Sequence, residues 1–491
     1  MAGIGFELKK LFKKKSLTAN LTGVVFSVFT TVGHIVIIIL VLLAIRYFLL
    51  GQGLSRTDEQ LYAAIVLYSF IFPLIFSSGL CIIISRYIAD MMWQKRDRDI
   101  MASVYGVLAT YCLIASPIAI VFLFFAKLSL ALSVFAYLLF MLVGIVFILM
   151  VYVSALKDYV QIAVSFILGM AVTFIGSYLV IRFAANKVDI VTILIGFFAL
   201  GMLIACTGVF LGIKKYFTRS SRNYFGFLTY IKKYPFLYVG NTLYTIGMYA
   251  QNFVFWANPD TRDSVSIFIF SNDFDFATYL GVMTIIPAVV MFVVRMETTF
   301  YEYYREYMSS INVKTGREIF TAKNLMKRKM WQEFFYVAEL QILFSLICVV
   351  LGLVLFPQLS VSTNIVEMYP TLACGYVFTY FMFLASTLLQ YFENYRDSLK
   401  VMLVFVILNP IFNVLTVFLG ADFYGTGMIF AAAAGLTASL IYLKRTLDNV
   451  DYLIFCTKNI GTEETVTFTD KLVRVLNGKQ PLMEEASEDK N

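Results

Sequence analysis

The chain has 491 residues, of which 60% are hydrophobic and only 14% charged, with a formal net charge of +8. Soluble domains carry about 25% charged residues; this composition, laid out in long apolar runs, excludes a soluble globular protein, and length here counts membrane spans. The positive charge does not point to nucleic acid, because the basic residues lie in short loops between apolar runs, where they set topology.

Residues Ile4–Lys15 come first. Ile4, Leu8, Leu11 and Phe12 share a helical face, and five lysines (Lys9, Lys10, Lys13, Lys14 and Lys15) occupy the rest. That pattern fits an amphipathic helix on an anionic cytoplasmic leaflet, or a simple topogenic basic cluster; both place the N-terminus inside. The first apolar run is too long for a signal-peptide core and is read as a span.

Apolar periodicity predicts twelve spans: Asn20–Leu50, Leu61–Met92, Met101–Ala126, Leu128–Val153, Tyr159–Phe183, Ile190–Ile213, Tyr234–Trp256, Phe274–Val294, Phe334–Phe356, Val366–Phe392, Val401–Leu419 and Tyr424–Leu443. Assigning alternate loops inside and outside, starting inside, places 33 of the 39 Lys and Arg on the inner side. Only Arg46, Arg56, Lys127, Arg182, Lys187 and Arg262 fall outside. A misplaced span would invert every later loop and destroy this asymmetry, so both termini are expected in the cytoplasm. Trp93, Trp256 and Trp331 fall at span ends, as interfacial tryptophans do.

The basic loop Lys214–Lys233 divides the chain into two six-span halves. The expected organisation is a cytoplasmic N-terminus (1–19), a first lobe (20–213), a linker (214–233), a second lobe (234–445) and a cytoplasmic tail (446–491). Transporters built from two such repeats carry their substrate between them. Spans two and eight each hold a proline, Pro73 and Pro287, and end near an arginine, Arg86 and Arg295. In span eight, Pro287 is expected to kink the helix while neighbouring helices satisfy the freed carbonyl. The stretch Tyr301–Gln332 reads as the largest loop, helical at first and then basic at Lys327, Arg328 and Lys329. The tail holds an apolar VDYLIF and ends in an acidic stretch, Glu484–Asp489, expected to be disordered.

Little in the chain suggests catalysis. His34 is the only histidine, no His/Cys/Asp cluster has metal-ligand spacing, and no glycine-rich phosphate loop is visible. The six cysteines read as small buried hydrophobes, and no cofactor or metal is expected. His34 is either a helix-packing donor or a proton-sensing group in a path. Carboxylates avoid the span middles: Asp273 and Asp275 open span eight, Glu297 and Glu393 lie at inner ends, and Glu339 is about two turns in from the inner end of span nine. Inside the spans lie neutral polar residues, among them Ser77, Ser78, Asn241, Thr284, Asn409 and Asn413. They are either interhelical glue or the wettable lining of a path for an uncharged cargo. The candidate path set is therefore His34, Thr284, Asn409, Asn413, Asp273 and Asp275. Asp273 and Asp275 also suit the start of a helix. Arg295 and Glu297 are two apart, so each needs a partner elsewhere. Arg86, Asp90, Arg295 and Glu297, with Lys327, Arg328 and Lys329, form the candidate inner mouth and docking face. Tyr301, Tyr303, Tyr304 and Tyr307 read as an aromatic belt or as stacking platforms for sugars.

Several blocks, taken in order, resemble the PelG family of exopolysaccharide transporters. They are MAGIGFELKKLF at the start, SRYIADMMWQKR around Arg86 and Asp90, YVSALKDY around Lys157, FVFWANP at Trp256, ATYLGVMTIIPAVVMFVVRMETTFYEYYREY, FYGTGMIFAAAAGL and VDYLIF. Around Gln251 and Asn252 the chain departs from the more charged pattern of the family. The resemblance implies an all-α polytopic membrane protein with twelve transmembrane helices in two six-helix lobes, MATE-like. It implies passage of a Pel-type, N-acetylhexosamine-rich polymer across the cytoplasmic membrane in a biofilm synthase–export complex. The implied partners are a cytosolic glycosyltransferase (PelF-like) and membrane scaffold and cyclic-di-GMP receptor proteins (PelE-like and PelD-like). The alternatives are a lipid-linked oligosaccharide flippase and a cation-coupled small-molecule antiporter of the same fold.

The charge asymmetry yields a direct test. In a cysteine-free background, Lys95→Cys is expected to resist an impermeant thiol reagent in intact cells, whereas Asp58→Cys and Asp260→Cys label from outside. Outside labelling at position 95 would overturn the arrangement.

Overall fold

The computed structural model describes residues 55–156, 159–183, 189–358 and 361–456, with scattered positions nearer the termini. The N-terminal helix, His34, most of the expected span Asn20–Leu50, Lys157 and the acidic end lie outside the described residues. Helix α1 runs Arg56–Trp93, α2 Asp97–Ala126, α3 Leu130–Leu156, α4 Tyr159–Phe183, α5 Ile190–Tyr216, and a short α6 Leu228–Lys233. Helix α7 (Pro235–Ala257) leads through a hairpin of β1 (Asp263–Val265) and β2 (Phe268–Phe270) into α8 (Asn272–Met283) and α9 (Ile286–Arg295). A π turn, Met296–Phe300, joins α10 (Tyr301–Val313), and α11 (Gly316–Gln358), α12 (Thr363–Tyr391), α13 (Tyr395–Leu419), α14 (Thr426–Asp448) and α15 (Val450–Cys456) follow.

Ten helices among the described residues are long and apolar enough to cross a membrane, with α8 and α9 forming one crossing. Helix α7 is not among them. Its Asn241, Thr242, Thr245, Gln251 and Asn252 lower its apolar character, so burial against other helices must hold it in place. The helix starts carry the expected signals. Ser55 accepts a bond from the Asp58 amide at the head of α1, and Asp189 from the Thr192 amide at the head of α5. The break between α2 and α3 falls at Lys127, whose left-handed backbone (φ 50°) ends α2.

Two large buried cores, with a smaller one of Phe255, Phe274, Ala277, Ile365, Met368 and Leu372, organise the described residues. One draws on α1 to α5, one face of α7 and the hairpin, through residues such as Tyr111, Tyr152, Phe198, Trp256 and Phe268. The other draws on α9 to α14, through Phe300, Met330, Leu384, Phe405 and Ala431. Leu243 and Tyr244, on another face of α7, pack against this second core. Within the first lobe, α4 and α5 meet backbone to backbone: a Cβ on Gly169 would lie 2.2 Å from the Gly201 carbonyl oxygen. Small residues at such crossings allow close van der Waals contact, which drives association where lipid offers no hydrophobic gain.

Pro287 does break its helix. The Ala288 amide bonds the Ile285 carbonyl instead of Thr284, and the Thr284 carbonyl is taken up by Gln341 Nε2 of α11 at 2.9 Å. Tyr380 of α12 donates to the Ala288 carbonyl at 2.7 Å. Neighbouring helices thus satisfy the freed backbone, as hydrocarbon surroundings demand.

The region expected as the large loop Tyr301–Gln332 is not a loop. It folds as α10 and the first turns of α11, which runs unbroken for 43 residues from the basic stretch into the span. The charged residues suggested a loop, yet charge on an exposed helical face does not interrupt helix geometry. The tyrosines of α10 are no simple belt either: Tyr307 is fully buried and donates to Asp451 Oδ1 at 2.7 Å.

Asp451, at the head of α15, also receives Lys323 of α11, and Lys327 meets Asp448 at 3.1 Å. Burial works to raise the Asp451 pKa, but the bonds from Lys323 and Tyr307 outweigh it and hold the carboxyl below its usual range. A depressed folded-state pKa gives stabilisation that is full above the unfolded value of about 3.9 and is lost as pH falls through the folded value. Asp451→Asn is therefore expected to lower the melting temperature at pH 7, with the difference from wild type vanishing in strong acid. A pH-independent difference would contradict this.

Candidate functional site

The two lobes meet along an antiparallel seam between α1 and α7. At one end Arg86 stands over the Tyr234 ring, 5.4 Å from its centroid. In the middle, Asn241 Nδ2 donates to the Ser78 carbonyl at 2.9 Å. Gly79 is needed nearby, because a Cβ there would lie 2.5 Å from Thr242 Oγ1 and 2.7 Å from the Tyr238 ring. Further along, Phe72 stacks with Phe253 and Tyr68 lies parallel to Trp256, centroids 5.2 Å apart and planes 5° from parallel. The midsection is neutral and polar: Ser77, Ser78, Asn241, Thr242, Thr245 and the ring of Tyr238.

Each end of the seam is closed differently. At the end rich in basic residues, Arg86 Nη2 meets Glu393 Oε1 of the α12–α13 turn at 3.0 Å, and its Nε lies 3.7 Å from Asp90. Tyr230 donates to Asp90 at 3.0 Å, and Tyr234 packs edge-on against Tyr395. The Arg86 and Glu393 side chains are 34% and 51% exposed. Exposed ion pairs contribute about 0–1 kcal/mol. This lock is therefore cheap to open, and it joins groups 307 residues apart.

At the other end the hairpin crosses from α7 to the first lobe. Beneath it Asp275, placed one turn into α8, is buried and accepts bonds from Asn252 Nδ2 (2.7 Å), Trp256 Nε1 (2.9 Å) and the Ser271 amide (2.9 Å). Every bond comes from α7 or the helix start, so the carboxylate ties the two elements together. Trp256, expected at the lipid interface, is instead buried in this network; sequence position alone could not show which way its ring turns. Trp93 does sit at an exposed helix end.

The remaining expected residues are scattered by the fold. Asn409 and Asn413 are fully buried; Asn409 donates to the Gly247 carbonyl of α7 at 2.7 Å, and Asn413 donates to Asn409. Thr284 is buried at the α8–α9 break and donates to the Gly281 carbonyl. In this conformation all three side chains are buried and bonded rather than lining an open path: Asn409 bridges two helices, while Asn413 and Thr284 bond within their own. Asp273 faces Asn364 at 3.1 Å on the exposed side. Arg295 finds its partners in Glu333, at 3.8 Å, and the Tyr336 ring, at 4.3 Å. The Glu297 side chain lies outside the described residues. Lys329 stands over Tyr303, Arg328 is exposed, and Glu339 lies on the exposed outer face of α11. Among the described residues no group of three or more His, Cys, Asp or Glu is arranged to hold a metal. Sequence reasoning missed Tyr68, Glu333 and the Gln251–Tyr376 bond of 3.0 Å; only the polarity of span seven hinted that one of its faces is buried.

Solved structures share this architecture. One is described as the outward-facing conformation of a multidrug resistance MATE family transporter of the MOP superfamily; it is 14% identical, with a TM-score of 0.63 over 87% of this chain and 96% of that one. A second is a MOP superfamily transporter from Pyrococcus furiosus, described by a reversed polarity of its binding pocket, at 13% identity and a TM-score of 0.62 over the same shares. MATE in the straight conformation gives 14% and 0.61, again over 87% and 96%. At such identities the likeness shows the fold alone, a helical membrane bundle of the MATE type. No curated protein matches the chain in sequence. Residues 1–455 match the family described as "PelG: Putative exopolysaccharide Exporter (EPS-E)". The chain therefore belongs to the PelG family of exopolysaccharide exporters.

Proposed function

We propose that the chain moves a Pel-type, N-acetylhexosamine-rich exopolysaccharide across the cytoplasmic membrane, between its two lobes, from the basic end to the hairpin end. The observation that carries this reading is the α1–α7 seam, whose midsection offers hydroxyls, an amide and tyrosine rings and no charge. A neutral, wettable lining binds sugars weakly enough to release them. The polymer, elongated on the inner side by a PelF-like glycosyltransferase, is pushed rather than pumped, and the path then needs no ion-coupling group. The basic end is the cytoplasmic one in this reading, consistent with the charge asymmetry, and both termini lie there. The exposed Arg328 and the α11 extension are where a cytosolic synthase and PelE-like and PelD-like membrane partners would dock. Lys327 is the poorer candidate, because Asp448 already engages it.

The Arg86–Glu393 lock is the inner mouth. Arg86→Glu is expected to reduce export about tenfold or more with insertion intact, and the exchange Arg86→Glu with Glu393→Arg to recover a substantial part of it. Equal loss in the exchange would remove the pair from the mechanism.

One observation favours the cation-coupled alternative: Asp275 is a buried carboxylate in a span. Its bonds come from α7 and from the start of its own helix, which is the signature of a fastener. Asp275→Asn is therefore expected to lower thermal stability, while export per folded molecule stays substantial. His34→Asn combined with Glu339→Gln is likewise expected to retain export. Abolished export in a stable, inserted Asp275→Asn protein would favour coupling through that group.

A further inference from the structure

The hairpin between α7 and α8 is built to hold and to let go. Its strands are three residues each, paired Asp263 to Phe270 and Val265 to Phe268, with Ser266 and Ile267 at the tip. Its base is fixed to the second lobe, where the Asn272 amide donates to Asp263 Oδ2 at 3.1 Å. Its body rests on the first. Tyr68 of α1 donates its hydroxyl to the Ile269 carbonyl at 2.8 Å and accepts the Ile269 amide at 3.1 Å, so one side chain pairs with the free edge of β2. Such an edge needs a partner. Phe268 drops between Tyr68 and Phe122 with edge-on contacts of 5.1 and 5.3 Å. At the tip, the Ser266 hydroxyl donates to the Ala126 carbonyl at the end of α2.

Two features set this contact apart from ordinary packing. Ser266 has φ +57°, a conformation unfavourable for a residue with a Cβ, held where its hydroxyl meets α2. The seat of Phe268 is also not sealed: a half-open cleft of about 100 Å³, lined by Tyr68, Phe72, Phe122, Phe140 and Phe268 among others, lies beside the ring. A strained tip and an unsealed seat suit a joint that separates.

We propose that the Asp263–Phe270 hairpin is a gate over the exit end of the seam, carried by the second lobe and hooked to the first by Tyr68. Separation of the lobes at this end requires Tyr68 to release Ile269 and Phe268 to leave its seat. Asp275 and Trp256 remain with the hairpin on α7 and α8, and the Tyr68–Trp256 stack parts with it. This inference rests on the export reading for the direction of travel but not for the motion itself.

The test uses the full-length, cysteine-free protein in nanodiscs, with spin labels on Ser264→Cys in β1 and Leu130→Cys at the start of α3. Both positions are exposed. The expected result is a short docked distance together with a longer population, the ratio shifting roughly fivefold or more towards the longer one in Tyr68→Phe, which removes the hydroxyl and keeps the ring. Phe268→Ala, which vacates the seat, is expected to shift it in the same direction. A single distance unchanged by either substitution would overturn the gate. Joining the same two cysteines with a short bifunctional thiol reagent is expected to stop polymer export in cells. Opening seen in nanodiscs without export by the unlinked protein would leave the gate standing and remove the export reading. Undiminished export by the joined protein would leave the export reading standing and remove the gate.

Discussion

The contact between α1 and α7 is the constraint from which the rest of the architecture follows. Two helices from different lobes lie against each other from Arg86 and Tyr234 to Tyr68 and Trp256. Helix α7 is too polar to face lipid along its length, and it remains in place because one face joins the first core and another the second. Its polar residues are thereby divided between two duties. Asn241, Thr242 and Thr245 stay at the half-buried seam, whereas Gln251 and Asn252 are spent on Tyr376 and Asp275. A helix that served only as a wall could have been uniformly apolar.

The two ends of the seam differ in the kind of interaction that closes them. The basic end uses charge near water, where pairing is weak and reversible. The other end uses rings, backbone edges and a buried carboxylate away from the basic cluster. The α8–α9 break lies between these regimes. Its carbonyls are bonded by Gln341 and Tyr380, so the interruption is anchored to α11 and α12 and does not dangle in hydrocarbon.

Most of the helices were legible in the sequence, because a bilayer imposes length and apolarity on every crossing. The expected span Tyr159–Phe183 is helical throughout, and the break at Lys127 falls where a single charge interrupts the apolar run. Facing was far less legible. Trp256 at a span end and Asn409 and Asn413 within a span read equally well as interface or lining, and only packing shows that all three turn into the protein. The hairpin left no periodic signal, since two strands of three residues are shorter than any pattern needs. The stretch after Tyr301 reads as a loop that is helical only at first, because a basic run between two apolar ones carries no signal that the helix continues through it. In α11 the charges lie along a continuous helix, with Lys323 and Lys327 already engaged by the end of the chain's last span and the helix that follows it.

That continuity has a mechanical consequence. At 1.5 Å per residue, α11 is about 64 Å long, roughly twice the thickness of the hydrocarbon core. Its extension beyond the bilayer is therefore a rigid lever of about 34 Å, and a tilt of about 10° in the membrane sweeps its far end through about 6 Å. The Lys323–Asp451 and Lys327–Asp448 pairs strap this lever to the end of α14 and to α15. The helix that forms this lever also holds the α8–α9 break, because its Gln341 bonds the Thr284 carbonyl, so lever and break share one rigid element.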